Sequence, residues 1–562
     1  MTVRKTTRTL ASTGSHASPG DDYIAMSGSN ELMFGGPGQD RIDASRSSGN
    51  NLIHGGQNDD IIIGGFNDRI FGDKGNDHLF LGNGGNVLTG DEGNDTFYVS
   101  AARTPTDLNV ITDFELGQDI LVIGSRDLTF ADLSISPLGT DAVVGALGRD
   151  LVLLKGINPE SLSPNNIIFD NGDVIIDWNA TMLDAVVAEW RPPTYTARNF
   201  AMVHLAMYDA VNSITEKHAP YTVNLPAPPD TSIEAAAAAA AHRVLVNLYP
   251  NQQFRFDNQL AASLAEIPDG VAETNGIILG QQVADQILAL RSNDNADATI
   301  DYIPGTAPGD WQPTPPNFAD AITPHWPFVQ PFAMTSGDQF RAAPFPALDS
   351  EQYAKELYMV KELGEVDSLM RTPDRTQVAQ FWSFDTPGTL TPPGHLNKLA
   401  EDVLIGSGTS VEENARIFGL LNLALADAGI AVWDSKYTYN VWRPIAGIRE
   451  ADTDGNPSTH ADPDWTPLLN TPAFPAYTSG HSGFAGATDA VLSALIGDQV
   501  RFNLAGDPNY DVSRREFNNF AQAMDENGQS RLYGGVHWES DITEGLATGR
   551  NVGNYVIENF LV

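Results

Sequence analysis

The chain has no cysteine among its 562 residues, which excludes disulfides, thiolate metal sites and redox thiols. Cations are scarce too: 32 Lys and Arg stand against 72 Asp and Glu, a formal charge of −40. Such a surplus repels phosphate backbones and anionic lipid, and so argues against nucleic acid or a membrane surface as partner. No stretch reads as long enough to span a bilayer. The basic, Ser/Thr-rich opening from Met1 to Gly20 lacks the apolar core of a signal peptide. The length favours two or more domains.

What is present falls into two materials. Gly35-Gly-Pro-Gly-Gln-Asp40, Gly72-Asp-Lys-Gly-Asn-Asp77 and Gly90-Asp-Glu-Gly-Asn-Asp95 share one nonapeptide pattern, in which glycines turn the chain and an Asp follows. The stretch ending in Asp60 is a near match, and the one ending in Asp68 is a residue short. The pattern resembles the repeat of RTX proteins, a parallel β-roll with an apolar interior. That resemblance implies calcium held by Asp40, Asp60, Asp68, Asp77 and Asp95, whose hard oxygens suit it. Ile111 to Leu121 and Leu151 to Phe169 read as β segments that close the module.

Past Asn171-Gly-Asp173 the apolar spacing turns helical: Ala235 to Leu248, Val271 to Arg291, Ala415 to Trp433, Phe517 to Met524 and Ile542 to Phe560. The Pro-rich span from Tyr302 to Pro346 reads as a long ordered connection around the bundle, with disorder as the alternative. The expected architecture is therefore multidomain: a flexible basic tail over 1–20, a β-roll over 21–170 and a mainly α-helical bundle over 171–562.

Three short blocks carry the chemistry: Lys436 to Arg443-Pro444, Ser479-Gly480-His481, and Ser530-Arg531 followed by His537 and Asp541. Together they supply three cations, a hydroxyl, a glycine amide and two imidazoles. Lys436 and Arg443, seven apart, would share one face of a helix. Ser479-Gly480-His481 precedes the apolar run Phe484 to Ile496, which reads as a helix whose N-terminus offers free amides to an anion. The combination suits a tetrahedral oxyanion such as phosphate or vanadate.

The blocks resemble the motif shared by vanadium-dependent haloperoxidases and type 2 phosphatidic acid phosphatases. All internal gaps are kept, and Thr478 stands where those families usually have Pro. The resemblance implies that His537 binds the vanadium and that Asp541 holds the other nitrogen of that imidazole. It implies that Lys436, Arg443 and Arg531, with the Ser479 hydroxyl and the Gly480 amide, surround the oxygens, and that His481 is the acid-base. Trp433 and Phe474 look like the aromatic halide pocket of fungal chloroperoxidases. An ordinary helix N-cap is the alternative for Asp541, and core packing for the two aromatics.

The activity implied is oxidation of chloride or bromide by hydrogen peroxide on a vanadate cofactor, with halogenation of a small organic acceptor. A phosphatase using the same histidine as nucleophile is the first alternative. The second is a calcium-dependent surface protein with an inactive enzyme domain. RTX-type repeats imply non-classical, type I-like export to the cell exterior. The preferred halide, the acceptor and the oligomeric state stay open.

Overall fold

The computed structural model describes residues 7–9 and 15–562. Two materials are again seen. From Thr7 to Asp170 the chain coils as a β-solenoid of two facing sheets, one of eight strands and one of nine. From Val174 to Asn559 it is mainly helical, with one two-stranded antiparallel sheet of Phe502–Leu504 and Arg515–Phe517.

Each coil of the roll contributes one strand to each sheet, in parallel register. Ile24, Ile42, Ile62, Leu79, Phe97, Leu121 and Ile167 fall in line across one sheet. Met33, Ile53, Ile70, Leu88, Ile111 and Leu154 do so across the other. These two buried aliphatic columns form the roll's core. Alternation puts every second residue inward, so strands of three suffice once neighbouring coils stack. Ser134–Leu138, Asp141–Ala146 and Arg149–Leu154 close one end as an antiparallel meander. Of the segment expected to be a tail, Thr7–Thr9 and Ser15–His16 pair in register with Tyr23–Ala25 and Leu32–Pro37, while residues 1–6 and 10–14 lie outside the described ones.

The helices are α1 (Val174–Ala188), α2 (Pro193–Thr215), α3 (Ile233–Leu248), α4 (Gln253–Ala265), α5 (Val271–Arg291), α6 (Glu351–Gly364) and α7 (Pro373–Phe381). They continue with α8 (Thr391–Leu404), α9 (Val411–Tyr439), α10 (Pro444–Arg449), α11 (Gly480–Leu495), α12 (Phe520–Tyr533) and α13 (Glu539–Asn559). A Ser410/Glu413 capping box starts α9, and Asn440 in the left-handed conformation ends it. This helix corrects the expectation that no stretch could span a bilayer. It is long and apolar enough, yet 94% of its most apolar window is buried against α2, α11 and α13. A helix apolar all round belongs at the centre of a bundle as readily as in lipid.

The Pro-rich span is an ordered connection. Asp427, wholly buried on α9, accepts the amides of Phe332, Ala333 and Met334 at 2.6–2.8 Å, and the Trp311 amide donates to Asn440 O at 2.7 Å.

Candidate active site

Five segments bring the three blocks together. Lys436 stands on the last turns of α9, and Arg443 is the N-cap of α10. The two therefore do not share a helix face, contrary to the spacing argument. Asn440 stops α9, and Pro444 starts a new helix after the chain has turned, so Arg443 returns to the site from a different element. Ser479 is the N-cap of α11, and Gly480 and His481 are its first residues. Arg531 closes α12, and His537 sits in the turn before α13.

All are buried, and the guanidinium groups have donors to spare. Arg443 donates from Nε to Phe474 O and from Nη1 to Val536 O, both at 2.8 Å, while its Nη2 has no partner. Arg531 donates from Nη2 to Asp385 Oδ2 at 2.8 Å, and its Nε and Nη1 have no partner. Lys436 Nζ donates to the carbonyls of Pro475 and Ala476 at 2.9 and 3.0 Å. Burial, with Arg443 beside it, holds Lys436 well below the usual lysine range, and burial brings Arg443 down to about 9. Taking a cation out of water costs several kcal/mol unless a counter-charge compensates. An oxyanion between these groups would offset that cost and satisfy the spare N–H donors, so the residues present fit vanadate.

The histidines differ in what their ring nitrogens touch. His537 Nδ1 lies 2.7 Å from Asp541 Oδ2, and Arg443 Nη1 lies 3.0 Å from its Nε2. Arginine has only donors, so Nε2 carries the lone pair and Nδ1 the proton. Burial and the surrounding cations hold this imidazole neutral, well below its usual range. Asp541 Oδ2 also accepts the Trp538 amide at 3.0 Å. It is the third residue of α13, not its N-cap, and one oxygen closes the capping box and orients His537. His481 Nε2 lies 3.0 Å from both Trp382 O and Ser383 O, which leaves Nδ1 to face other groups. Burial, with Arg531 adding, lowers His481 to about 4.

Trp433 and Phe474 meet over the lysine. Their rings are 5.1 Å apart, and Lys436 Nζ lies 5.6 and 4.9 Å from the two centroids. A Cβ on Gly480 would stand 3.3 Å from the indole, so the glycine lets the ring close against α11. Thr323 accepts the Trp433 indole N–H at 2.8 Å.

In the roll, Asp40, Asp60, Asp77 and Asp95 share one edge, and each takes a backbone N–H of the coil before it on Oδ1. Oδ2 of Asp40, Asp60 and Asp77 is buried without a partner, which fits a cation. Among the described residues no three His, Asp or Glu side chains converge, so backbone carbonyls would have to complete such a site. Asp68 does not join the group. It lies on the opposite edge, and its oxygens accept Asn51 N and Gly65 N, both at 2.8 Å. The repeat that is one residue short thus closes on its own amide.

Residues 416–561 match the model of the VCPO second helical-bundle domain, and 47–66 and 64–97 match the RTX calcium-binding nonapeptide repeat. The vanadium chloroperoxidase of Curvularia inaequalis is 28% identical over 494 residues, 68% of this chain and 80% of that protein. The structure of the first bacterial vanadium-dependent iodoperoxidase is 30% identical, with a TM-score of 0.61 over 68% of this chain and 95% of that one. The chain belongs to the vanadium-dependent haloperoxidase family. A holo-type bacterial vanadium-dependent chloroperoxidase, 17% identical over 69% of this chain and 97% of that one, shares the fold at a TM-score of 0.56.

Within this haloperoxidase fold, two site contacts were not visible in the sequence. The turn after α7, Trp382 to Asp385, supplies the carbonyls under His481 and the carboxylate on Arg531. Asp385 lies 146 residues from its partner in a stretch without a motif. A search for a counter-charge to three buried cations was the one available signal. Thr323, inside the Pro-rich connection, had none.

Proposed function

We propose that this chain is a vanadate-dependent haloperoxidase that oxidises chloride or bromide with hydrogen peroxide, releasing hypohalous acid that halogenates small organic acceptors. The observation that carries the reading is the pair of buried guanidinium groups with unspent donors, Arg443 and Arg531, around a neutral His537. His537 Nε2 would hold the vanadium. Lys436, Arg443 and Arg531 would neutralise the oxygens, with the Ser479 hydroxyl and the Gly480 amide, free at the start of α11, donating to them. When bound, vanadate supplies a Lewis-acidic centre that takes up peroxide and makes its oxygen electrophilic toward halide.

The balance is one peroxide, one halide and one proton to one hypohalous acid and one water. With its Nε2 taken by the Trp382 and Ser383 carbonyls, His481 would hold and pass that proton on Nδ1. Lys436 would supply positive charge toward the bound oxygens, and Trp433 and Phe474 would exclude water around it. Calcium would sit along the aspartate edge of the roll, whose RTX repeats favour a secreted protein.

Purified protein is assayed with orthovanadate, peroxide and chloride, bromide or iodide in turn, reading halogenation of a phenol dye. Vanadate-dependent turnover, competed by phosphate, is expected. Phosphomonoester turnover without vanadate, inhibited by vanadate, would replace this reading with a phosphatase. Inactivity in both assays would leave a surface protein with a silent domain.

A further inference from the structure

The two edges of the roll use different side chains for the same backbone bond. On one edge, Oδ1 of Asp40, Asp60, Asp77 and Asp95 accepts the amides of Asp22, Asp40, Asp60 and Asp77 at 2.7–2.9 Å. On the other, Oδ1 of Asn51, Asn86 and Asn109 accepts the amides of Glu31, Asp68 and Asn86 at 2.7–3.0 Å. With Oδ1 fixed as acceptor, the second terminal atom is an oxygen on the first edge and an NH₂ on the second.

Those second atoms meet opposite surroundings. A Cβ on Gly35, Gly55 or Gly72 would lie 2.6, 2.5 and 2.3 Å from Oδ2 of Asp40, Asp60 and Asp77. The same points lie 2.4, 2.7 and 2.7 Å from the carbonyls of Gly55, Gly72 and Gly90. Carboxylate and next-coil carbonyl thus border one slot that only glycine leaves open, and both offer the hard oxygens calcium takes. On the second edge, Asn86 Nδ2 donates to Gly65 O at 2.9 Å and Leu81 O at 2.6 Å, and Asn51 Nδ2 to Ser47 Oγ at 2.9 Å. Asn109 Nδ2 has no partner, but a donor does not ligate a cation. Of the acids on this ladder, Asp68 has spent both oxygens on amides, while Glu31, at the end rung, keeps one buried oxygen, Oε2, without a partner.

We propose that calcium occupies the aspartate edge alone, and that on the asparagine edge side-chain amides take its place. The asparagine edge docks on the helical half, which the roll also meets through Arg41, next to Asp40, donating to Gly408 O at 2.6 Å. From the turns of the asparagine edge, Arg46 donates to Leu495 O at the end of α11. Arg103 donates to Val403 O on α8 at 3.0 Å, and Ala102 O accepts Asn503 N at 2.9 Å. The contacts made from the asparagine edge are therefore built to hold without an ion. This rests on the calcium reading of the repeats.

Full-length protein is stripped with chelator, dialysed and titrated calorimetrically with calcium chloride. About three ions per chain are expected, one for each unpartnered Oδ2. Asn86→Asp is expected to add an ion, and Asp60→Asn to remove one while making the roll less dependent on calcium. A parent count near double that number, or an unchanged count in Asn86→Asp, overturns the one-edge assignment. No calcium uptake at all overturns the calcium reading beneath it. Should Asp60→Asn fail to fold, the parent count and Asn86→Asp still decide.

Discussion

In the roll, Asp40, Asp60 and Asp77 are dry carboxylates, each with an oxygen left over; in the bundle, Arg443 and Arg531 are dry guanidinium groups, each with N–H left over. The charge is opposite and the logic shared. A buried ionic group with unspent bonding capacity is costly by itself, and an ion of opposite charge would offset that cost. The architectures differ in how the groups are gathered. The roll repeats one Asp per coil, so each slot resembles the next and losing one leaves the others. The bundle converges residues from several helices on a single point, so each has a separate task. The roll should therefore be graded in its response to mutation and the bundle nearly all-or-none.

The largest expected effect tests that contrast. His537→Ala removes the imidazole proposed to hold the vanadium, and should cut vanadate-supported halogenation by more than about 100-fold. Partners one layer further out are already worth roughly 10–100-fold. Asp541→Ala, which frees the His537 Nδ1 proton from its acceptor, should fall in that lower range, read as vanadate affinity in steady-state titrations. Asp60→Asn should leave halogenation close to the parent value. Wild-type turnover in His537→Ala at micromolar-order vanadate would remove the site assignment and the contrast with it.

Opposite charges also predict opposite pH slopes. Without calcium, burial and neighbouring carboxylates raise Asp60 from 3.8 to about 8, Asp77 to about 7 and Asp95 to about 6. Folded values above the unfolded ones mean that the chelated roll is most stable in acid and loses stability as pH climbs towards 8. With calcium bound the carboxylates stay ionised and that slope should flatten. In the helical half, burial lowers His204 and His395 from 6.5 to about 3. Their contribution is full above 6.5 and is lost as pH falls towards 3. Peptide-resolved hydrogen exchange, corrected for intrinsic rate, should show protection of residues 41–63 falling with rising pH in chelator. Protection of residues 415–433 should fall with falling pH. Parallel slopes in the two regions would break the comparison.

The legibility of the two regions followed the same line. The roll is local: glycine turns and a two-residue alternation put Asp40, Asp60, Asp77 and Asp95 on one edge, so the repeat alone gave their placement. Asp68 failed because the shortened turn carried it to the other edge, a matter of register. In the bundle the motifs named the groups, but spacing misjudged how they meet, since Asn440 and Pro444 break the helix between Lys436 and Arg443. Asp385 and Thr323 stayed hidden because their partners are distant in sequence, and no local pattern marks a contact made only by tertiary packing.

The smallest expected effect concerns the aromatic walls of the cationic site. Lys436 lies within 4.9 Å of the Phe474 centroid, and the Arg443 guanidinium within 4.8 Å. A hydrocarbon face there keeps the local dielectric low, which would strengthen the proposed pull of the lysine charge on a bound oxygen. Chloride is harder to oxidise than bromide, so it depends more on that pull. Phe474→His would place a polar ring able to hold water beside Lys436, and should depress chloride turnover several-fold more than bromide turnover. Parallel kcat/KM measurements with the two halides decide it. The Trp433 indole, tied to Thr323 at 2.8 Å, should hold its place in the variant, so a change in the ratio reports the lost apolar face of Phe474 rather than collapse of the pocket. Equal losses for both halides would make Phe474 a packing residue, and the aromatic wall would then be part of the core around the site with no part in choosing the halide.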